Sequence, residues 1–175
     1  MSNIVLITGG IKSGKSNLAE YFAKKEKKVT YVALSENRPS DISWQKRILD
    51  HKIRRPKSWK VIETDDLISV LNKNLGFLLI DSIGGFVVKC LNLSDIEWER
   101  DSSKLIKKLS SYKSKIIIVG EQAGWGLVSE YKIGNLYADR LGTILKEITK
   151  ISKDNWLTIN GKAIKLDNMF FDFTA

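Results

Sequence analysis

A chain of 175 residues and 19.8 kDa has room for one ordinary hydrophobic core, so residues 1–175 are expected to form a single domain. Hydrophobic residues make up 43% and charged residues 28%, a balance that excludes an intrinsically disordered chain. Twenty-nine Lys and Arg against twenty Asp and Glu leave a net charge of +9, so an anionic partner is expected, and a nucleotide, a nucleic acid and a membrane surface all fit that sign.

In chain order, Asn3 to Thr8 is a near-continuous apolar run ended by Gly9-Gly10, the pattern of a central strand buried on both faces. No run in the chain approaches the ~20 apolar residues of a spanning helix, and the start MSNIVLITGG has no cationic leader, so no membrane span is expected and the chain is expected to be cytoplasmic. Gly9, Gly10, Ile11, Lys12, Ser13, Gly14, Lys15 and Ser16 then match G-x-x-x-x-G-K-[ST] at a strand-to-helix junction, which predicts a loop whose amides cradle a polyphosphate. Lys15 is positioned to reach the β- and γ-phosphates, and the Ser16 hydroxyl to ligate Mg²⁺. Helical spacing in Leu18, Tyr21 and Phe22 runs into Lys24, Lys25, Lys27 and Lys28, cations that favour a helix C-terminus.

A second strand is expected over Val29 to Leu34, and further strands over Lys60 to Glu63, Phe77 to Asp81 and Lys115 to Val119. Helices are expected near Asp65 to Asn72, Asp95 to Tyr112 and Tyr131 to Ser152, with Asp65 and Asp95 as capping carboxylates at the first two starts. Trp156 to Ile159 and Ala163 to Leu166 suit a terminal hairpin around Asn160-Gly161. This alternation predicts an α/β fold of the P-loop NTPase type, with a mostly parallel sheet, helices on both faces and a C-terminal antiparallel hairpin. The irregular stretches Ser35 to Trp59 and Gly120 to Gly134 fall where ligands bind in such sheets, outside the carboxyl ends of strands.

Two more features carry chemistry. The run Phe77 to Asp81 ends in a carboxylate, the form expected where a second strand brings an acid to the P-loop Mg²⁺. Lys46, Arg47, Lys52, Arg54 and Arg55 crowd the one histidine, His51, and suit a second phosphate-rich group, although a solvated helix face would look the same. The single histidine excludes any site that needs two imidazoles, and the single cysteine, Cys90, excludes an intrachain disulfide and a thiolate zinc site.

These residues resemble the bifunctional adenosylcobinamide kinase/adenosylcobinamide-phosphate guanylyltransferase family. The loop GGIKSGKSNLAE is close to that family's GGxRSGKSxxAE, and the family's RI-x-x-H-x-x-x-RP-x-x-W stretch stands here as Arg47-Ile48, His51, Arg55-Pro56 and Trp59. Asp81-Ser82, Glu121, the run Gly124 to Val128, Asp139 and Gly142 match as well. The resemblance implies a Mg²⁺-dependent enzyme that uses ATP and GTP to phosphorylate a corrinoid side arm and then transfers GMP through His51, with Lys15 as its other catalytic residue. It further implies nucleotide contacts from the P-loop, Arg47, Lys52, Arg55, Glu63 and Asp81, and a homo-oligomer with no nucleic-acid partner.

The chain departs from the pattern at Gly120, where the family has Asn, at Gly84-Gly85, where it has polar residues, and along 137–146, where FRD-x-x-GR-x-NQ becomes YADRLGTILK. Arg140 is the neighbouring cation expected to replace one of the missing charges. Two alternatives stay open at this point: a small-molecule kinase without the guanylyl step, and a non-catalytic nucleotide-dependent polyanion binder.

Overall fold

The computed structural model describes residues 3–34, 49, 53, 55–126, 128–167 and 169. Within them, seven strands make one sheet: β1 (Ile4–Gly9), β2 (Thr30–Leu34), β3 (Lys60–Thr64), β4 (Leu78–Asp81), β5 (Ile116–Glu121), β6 (Asp154–Ile159) and β7 (Lys162–Lys165), in the order β3-β2-β4-β5-β1-β6-β7. The first six run parallel and β7 returns antiparallel to β6. Five helices accompany them: α1 (Lys15–Ala23), α2 (Leu67–Asn72), α3 (Gly84–Lys89), α4 (Asp95–Ser111) and α5 (Lys132–Ile151), with a short 3-10 turn at Ala123–Trp125. This is the α/β sheet with helices on both faces and a terminal hairpin that the sequence predicts.

The strand sequences explain the layering. In β1 and β5 successive side chains alternate between two apolar cores, since a strand turns its residues to opposite faces with period two. Ile4, Leu6, Ile116 and Ile118 pack on one face against Leu105, Leu109, Ile144 and Ile148 of α4 and α5. Val5, Ile7, Ile117 and Val119 pack on the other against Ala19 and Ala23 of α1. The edge strands β3 and β7 carry exposed charged residues, as solvent-facing edges require.

Four details depart from expectation, each for a physical reason. Helix α2 is capped by Asp66, whose Oδ1 accepts from the Ser69 amide at 3.1 Å, while Asp65 pairs with Lys89. Helix α4 is capped by Ser94 through a capping box with Glu97, which leaves Asp95 to meet Arg140. Helix α3 has no sequence signal because it opens on two glycines, yet a Cβ on Gly85 would run into the Leu34 main chain, so glycine is what lets α3 lie against β2. Finally, Arg140 is only 4% exposed and donates to the carbonyls of Cys90 at 2.6 Å and Leu93 at 2.8 Å and to Asp95 Oδ1 at 3.1 Å, with its guanidinium 5.2 Å from the Trp98 ring centre. It ties α5 to the α3–α4 connection and is not a replacement site charge.

Candidate active site

The carboxyl ends of β1, β4 and β5 meet at one edge of the sheet. Register places Gly9 opposite Glu121 and Asp81 opposite Val119, so the P-loop, an acid on β5 and an acid on β4 stand side by side. Lys15 is the first residue of α1, whose start carries no side-chain cap, which leaves the first-turn amides and the positive helix end facing the loop. The ammonium of Lys15 donates to the Gly10 carbonyl at 2.8 Å. Burial in the loop pulls its pKa below the ordinary lysine value, while Glu121 and Asp81 pull it back up. Gly10, Ile11 and Lys12 form the outer rim of the loop; Ile11 and Lys12 are exposed, and Ser16 is half-buried in the first turn of α1.

The loop is braced from behind by the β6–β7 hairpin, a contact between distant residues that sequence patterning does not reveal. Ser13 Oγ and Thr158 Oγ1 share a hydrogen bond of 2.8 Å, Thr158 Oγ1 donates to the Thr8 carbonyl at 3.1 Å, and the Gly161 amide donates to the Ser13 carbonyl at 2.9 Å. The glycines of the motif answer to this contact. Gly14 has φ 102°, a left-handed conformation, and Gly9 has no space for a side chain because a Cβ there would sit 2.5 Å from Thr158 Oγ1 and 2.6 Å from Ser13 Oγ.

Asp81 ends β4 and accepts from the buried Tyr31 hydroxyl at 3.0 Å. Burial, reinforced by Asp81, drives the Tyr31 pKa far up, so the phenol stays a donor. The Arg55 guanidinium lies 3.5 Å from the centre of the Tyr31 ring, and its Nε is buried without a partner among the described residues. Pro56 and Trp59 fix this placement: the Trp59 amide donates to the Pro56 carbonyl at 3.1 Å, and the indole enters the core beside Val29, Tyr31 and Phe77. The RP-x-x-W part of the motif thus anchors its segment and presents the arginine over the tyrosine that holds Asp81. Tyr31 itself had no sequence signal, since an aromatic in a strand reads as core.

Glu63 lies on the edge strand β3 and is exposed, at the carboxyl edge but two strands out from β4. His51, Arg47 and Lys52 lie outside the described residues, as does Leu127.

Glu121 carries more than a motif match. It accepts from Ser82 Oγ at Oε1, while its Oε2 is buried with no partner among the described residues. Burial is the largest influence on this carboxyl and raises its pKa; hydrogen bonding by Ser82 and the charge of Lys15 oppose the shift, and Asp81 adds to it. Beside it, Tyr137 is also pushed up by burial and by Glu121.

The departures at Gly120 and Leu145 form one exchange. A Cβ on Gly120 would collide with Leu145 Cδ2, and the leucine is buried there, so an apolar side chain of α5 occupies the space a larger residue at 120 would need. Next to it, a pocket of about 230 Å³ opens between α5 and β1–β6, lined by Thr8, Gln122, Gly142, Leu145, Lys146 and Asn155 among others.

Ser16 and Asp81 offer a hydroxyl and a carboxylate, hard oxygen donors of the kind Mg²⁺ takes, and among the described residues no group of three or more His, Cys, Asp or Glu is gathered for a metal. Such a pair suits an ion that takes its remaining ligands from phosphate and water rather than from a closed protein cage. Among the described residues no helix is long and apolar enough to cross a membrane.

A model of the family described as cobinamide kinase / cobinamide phosphate guanyltransferase matches residues 5–166. The chain is 25% identical over 182 residues to the bifunctional adenosylcobalamin biosynthesis protein CobU of Escherichia coli (strain K12), covering 93% of this chain and 99% of that one. It is 27% identical over 169 residues to the bifunctional adenosylcobalamin biosynthesis protein CobP of Pseudomonas aeruginosa, covering 92% and 95%. Among solved structures, a protein of Pyrococcus horikoshii OT3 superposes with a TM-score of 0.52 at 11% identity, over 96% of this chain and 87% of that one. A prototypical ATPase from the type III secretion system of pathogenic bacteria does so with a TM-score of 0.52 at 13% identity, over 89% of this chain and 50% of that one, a likeness of fold.

Proposed function

Because the chain belongs to the cobinamide kinase / cobinamide phosphate guanyltransferase family and is therefore a transferase, we propose that it catalyses both reactions of that family name. In the first, the γ-phosphoryl group of a nucleoside triphosphate passes to the hydroxyl on the aminopropanol arm of adenosylcobinamide. In the second, GMP passes from GTP to the new phosphate through a covalent intermediate on His51. The observation that carries this reading is the assembly at one sheet edge of an intact P-loop, Asp81 and Arg55, the last delivered by the same motif that contains His51.

In this reading the P-loop amides and the α1 N-terminus bind the triphosphate, and Lys15 leaves the Gly10 carbonyl to neutralise its β- and γ-oxygens. Ser16 and Asp81 would hold Mg²⁺, which would supply charge neutralisation between the phosphates. Tyr31 orients Asp81 through its hydrogen bond, and Arg55 meets a second phosphate while stacked on Tyr31, a role for which the planar guanidinium is suited. Arg47, Lys52 and Glu63 complete the nucleotide contacts, and one domain serves both steps. A cytoplasmic homo-oligomer that binds nucleotide and corrinoid, and no nucleic acid, belongs to the same proposal.

The test is a product analysis. Adenosylcobinamide, ATP, GTP and Mg²⁺ are incubated with the protein, and corrinoids are resolved by chromatography and mass spectrometry. Adenosyl-GDP-cobinamide should form, and Lys15→Ala should stop the sequence before the phosphate. Accumulation of the phosphate alone in the wild type would reduce the enzyme to a kinase, and unchanged adenosylcobinamide would overturn the proposal.

A further inference from the structure

Glu121 stands beside the phosphate loop, and nothing in the P-loop chemistry above uses it. Its strand β5 lies between β1 and β4, and register puts it opposite Gly9, the first glycine of the phosphate loop. One carboxylate oxygen is held by Ser82, which fixes the group, and the other is buried with no partner among the described residues. Glycine at 84 is what lets the carboxylate lie there: a Cβ on Gly84 would sit 2.7 Å from Glu121 Oε2 and would collide with the Tyr137 hydroxyl. Glu121 Oε2 is therefore a lone buried acceptor packed against Gly84 beside Tyr137, on the sheet edge that carries Lys15. A lone acceptor of this kind suits a hydroxyl group, which brings a proton to donate.

Resting on the kinase reading above, we propose that Glu121 accepts the proton of the acceptor alcohol in the phosphoryl-transfer step, the alcohol giving the carboxylate's unpartnered oxygen the donor it lacks. The alcohol O–H bond breaks and its proton passes to Glu121 Oε2. The alcohol oxygen uses the freed electron pair to bond the γ-phosphorus, and the bond from that phosphorus to the β–γ bridging oxygen breaks, releasing the nucleoside diphosphate. Glu121 returns its proton to water once the products leave. Asp81, the other acid at this edge, is oriented by the Tyr31 hydroxyl and in the reading above is the one that would hold Mg²⁺. The burial that makes Glu121 hold a proton tightly also makes it a stronger acceptor than an exposed carboxylate.

The experiment compares wild type, Glu121→Gln, Glu121→Asp and Gly84→Ala in phosphorylation of adenosylcobinamide with γ-labelled ATP, in binding of a fluorescent ATP analogue, and in labelling by α-labelled GTP. Glu121→Gln should lower kcat for phosphorylation by about 10²–10⁴-fold, with nucleotide affinity and GTP labelling unchanged. Glu121→Asp, which keeps the carboxylate, should recover part of the rate. Gly84→Ala, whose Cβ would press on the Glu121 carboxylate, should lower kcat for phosphorylation in the same direction and leave nucleotide affinity alone. Wild-type turnover retained in Glu121→Gln overturns this role and leaves the kinase reading standing; a wild type that phosphorylates no corrinoid removes both. Equal loss of nucleotide affinity and rate in Glu121→Gln would make Glu121 structural and also overturns the role.

Discussion

Replacing Thr158 by valine keeps the shape of the side chain and removes the hydroxyl that joins the terminal hairpin to the phosphate loop. That hydroxyl shares a 2.8 Å hydrogen bond with Ser13 and donates at 3.1 Å to the Thr8 carbonyl, in a residue 2% exposed. A buried polar group left without its partner costs about 1–3 kcal/mol. Water has little access here, so a loss of about 2 kcal/mol is expected, equivalent to about 4–8 °C in Tm for a chain of this size. The same change frees Ser13, so nucleotide must reorder the loop on binding; if that ordering costs about 1.4 kcal/mol, affinity falls about tenfold. Thermal melts and titration with a fluorescent nucleotide measure the two effects. Thr158→Ser, which keeps the hydroxyl and loses a methyl, should lower Tm and leave affinity near wild type. Equal affinity in the valine and serine variants would refute the brace as a device that holds the loop.

Gly120→Asn should destabilise by about 1–3 kcal/mol through overpacking against Leu145, and adding Leu145→Asn should restore part of it; additive losses in a double-mutant cycle would contradict the exchange. Arg140→Met should lower stability by about 2–4 kcal/mol, because the Cys90 and Leu93 carbonyls and Asp95 lose their donor; a change in nucleotide affinity at temperatures where the variant is folded would return it to the site. The pH dependence of Glu121 has a definite sign: its folded pKa lies above the ordinary 4.5, so its contribution to stability is fully present below that value and is lost as pH rises through the folded pKa. Glu121→Gln removes this titration, so in denaturant melts its stability relative to wild type should rise with pH from the acid side to neutrality, with Lys15, Asp81 and Tyr137 as the facing groups; a flat difference would contradict it.

What could be read from the sequence was local. The phosphate loop is a contiguous pattern of glycines, lysine and serine, and the apolar runs of β1 and β5 announce strands covered on both faces. What escaped was decided between distant residues. Tyr31 meets Asp81 fifty positions away, and Ser13 meets Thr158 across 145, contacts that no spacing rule encodes. Helix α3 opens on glycines that a propensity argument counts against it, and its packing on Leu34 favours them for that reason. Asp95 looked like a cap because it begins a periodic segment, but the serine before it completes the capping box. Arg140 looked like a site charge because it neighbours a motif position, whereas a helix turns adjacent residues to different faces and this one points into the protein. The family departures at Gly120 and Leu145 read as two separate losses in the sequence and as one exchange of volume in three dimensions.

The central claim, that the chain joins guanylyl transfer to a P-loop kinase, is tested most directly by the mass of the intact protein after incubation with GTP and Mg²⁺. The account predicts a gain of one GMP on the wild type, acid-labile and base-stable, that maps to His51, is absent in His51→Ala and is discharged by cobinamide phosphate. A wild type that phosphorylates cobinamide yet acquires no GMP, or a His51→Ala variant that still does, would contradict it.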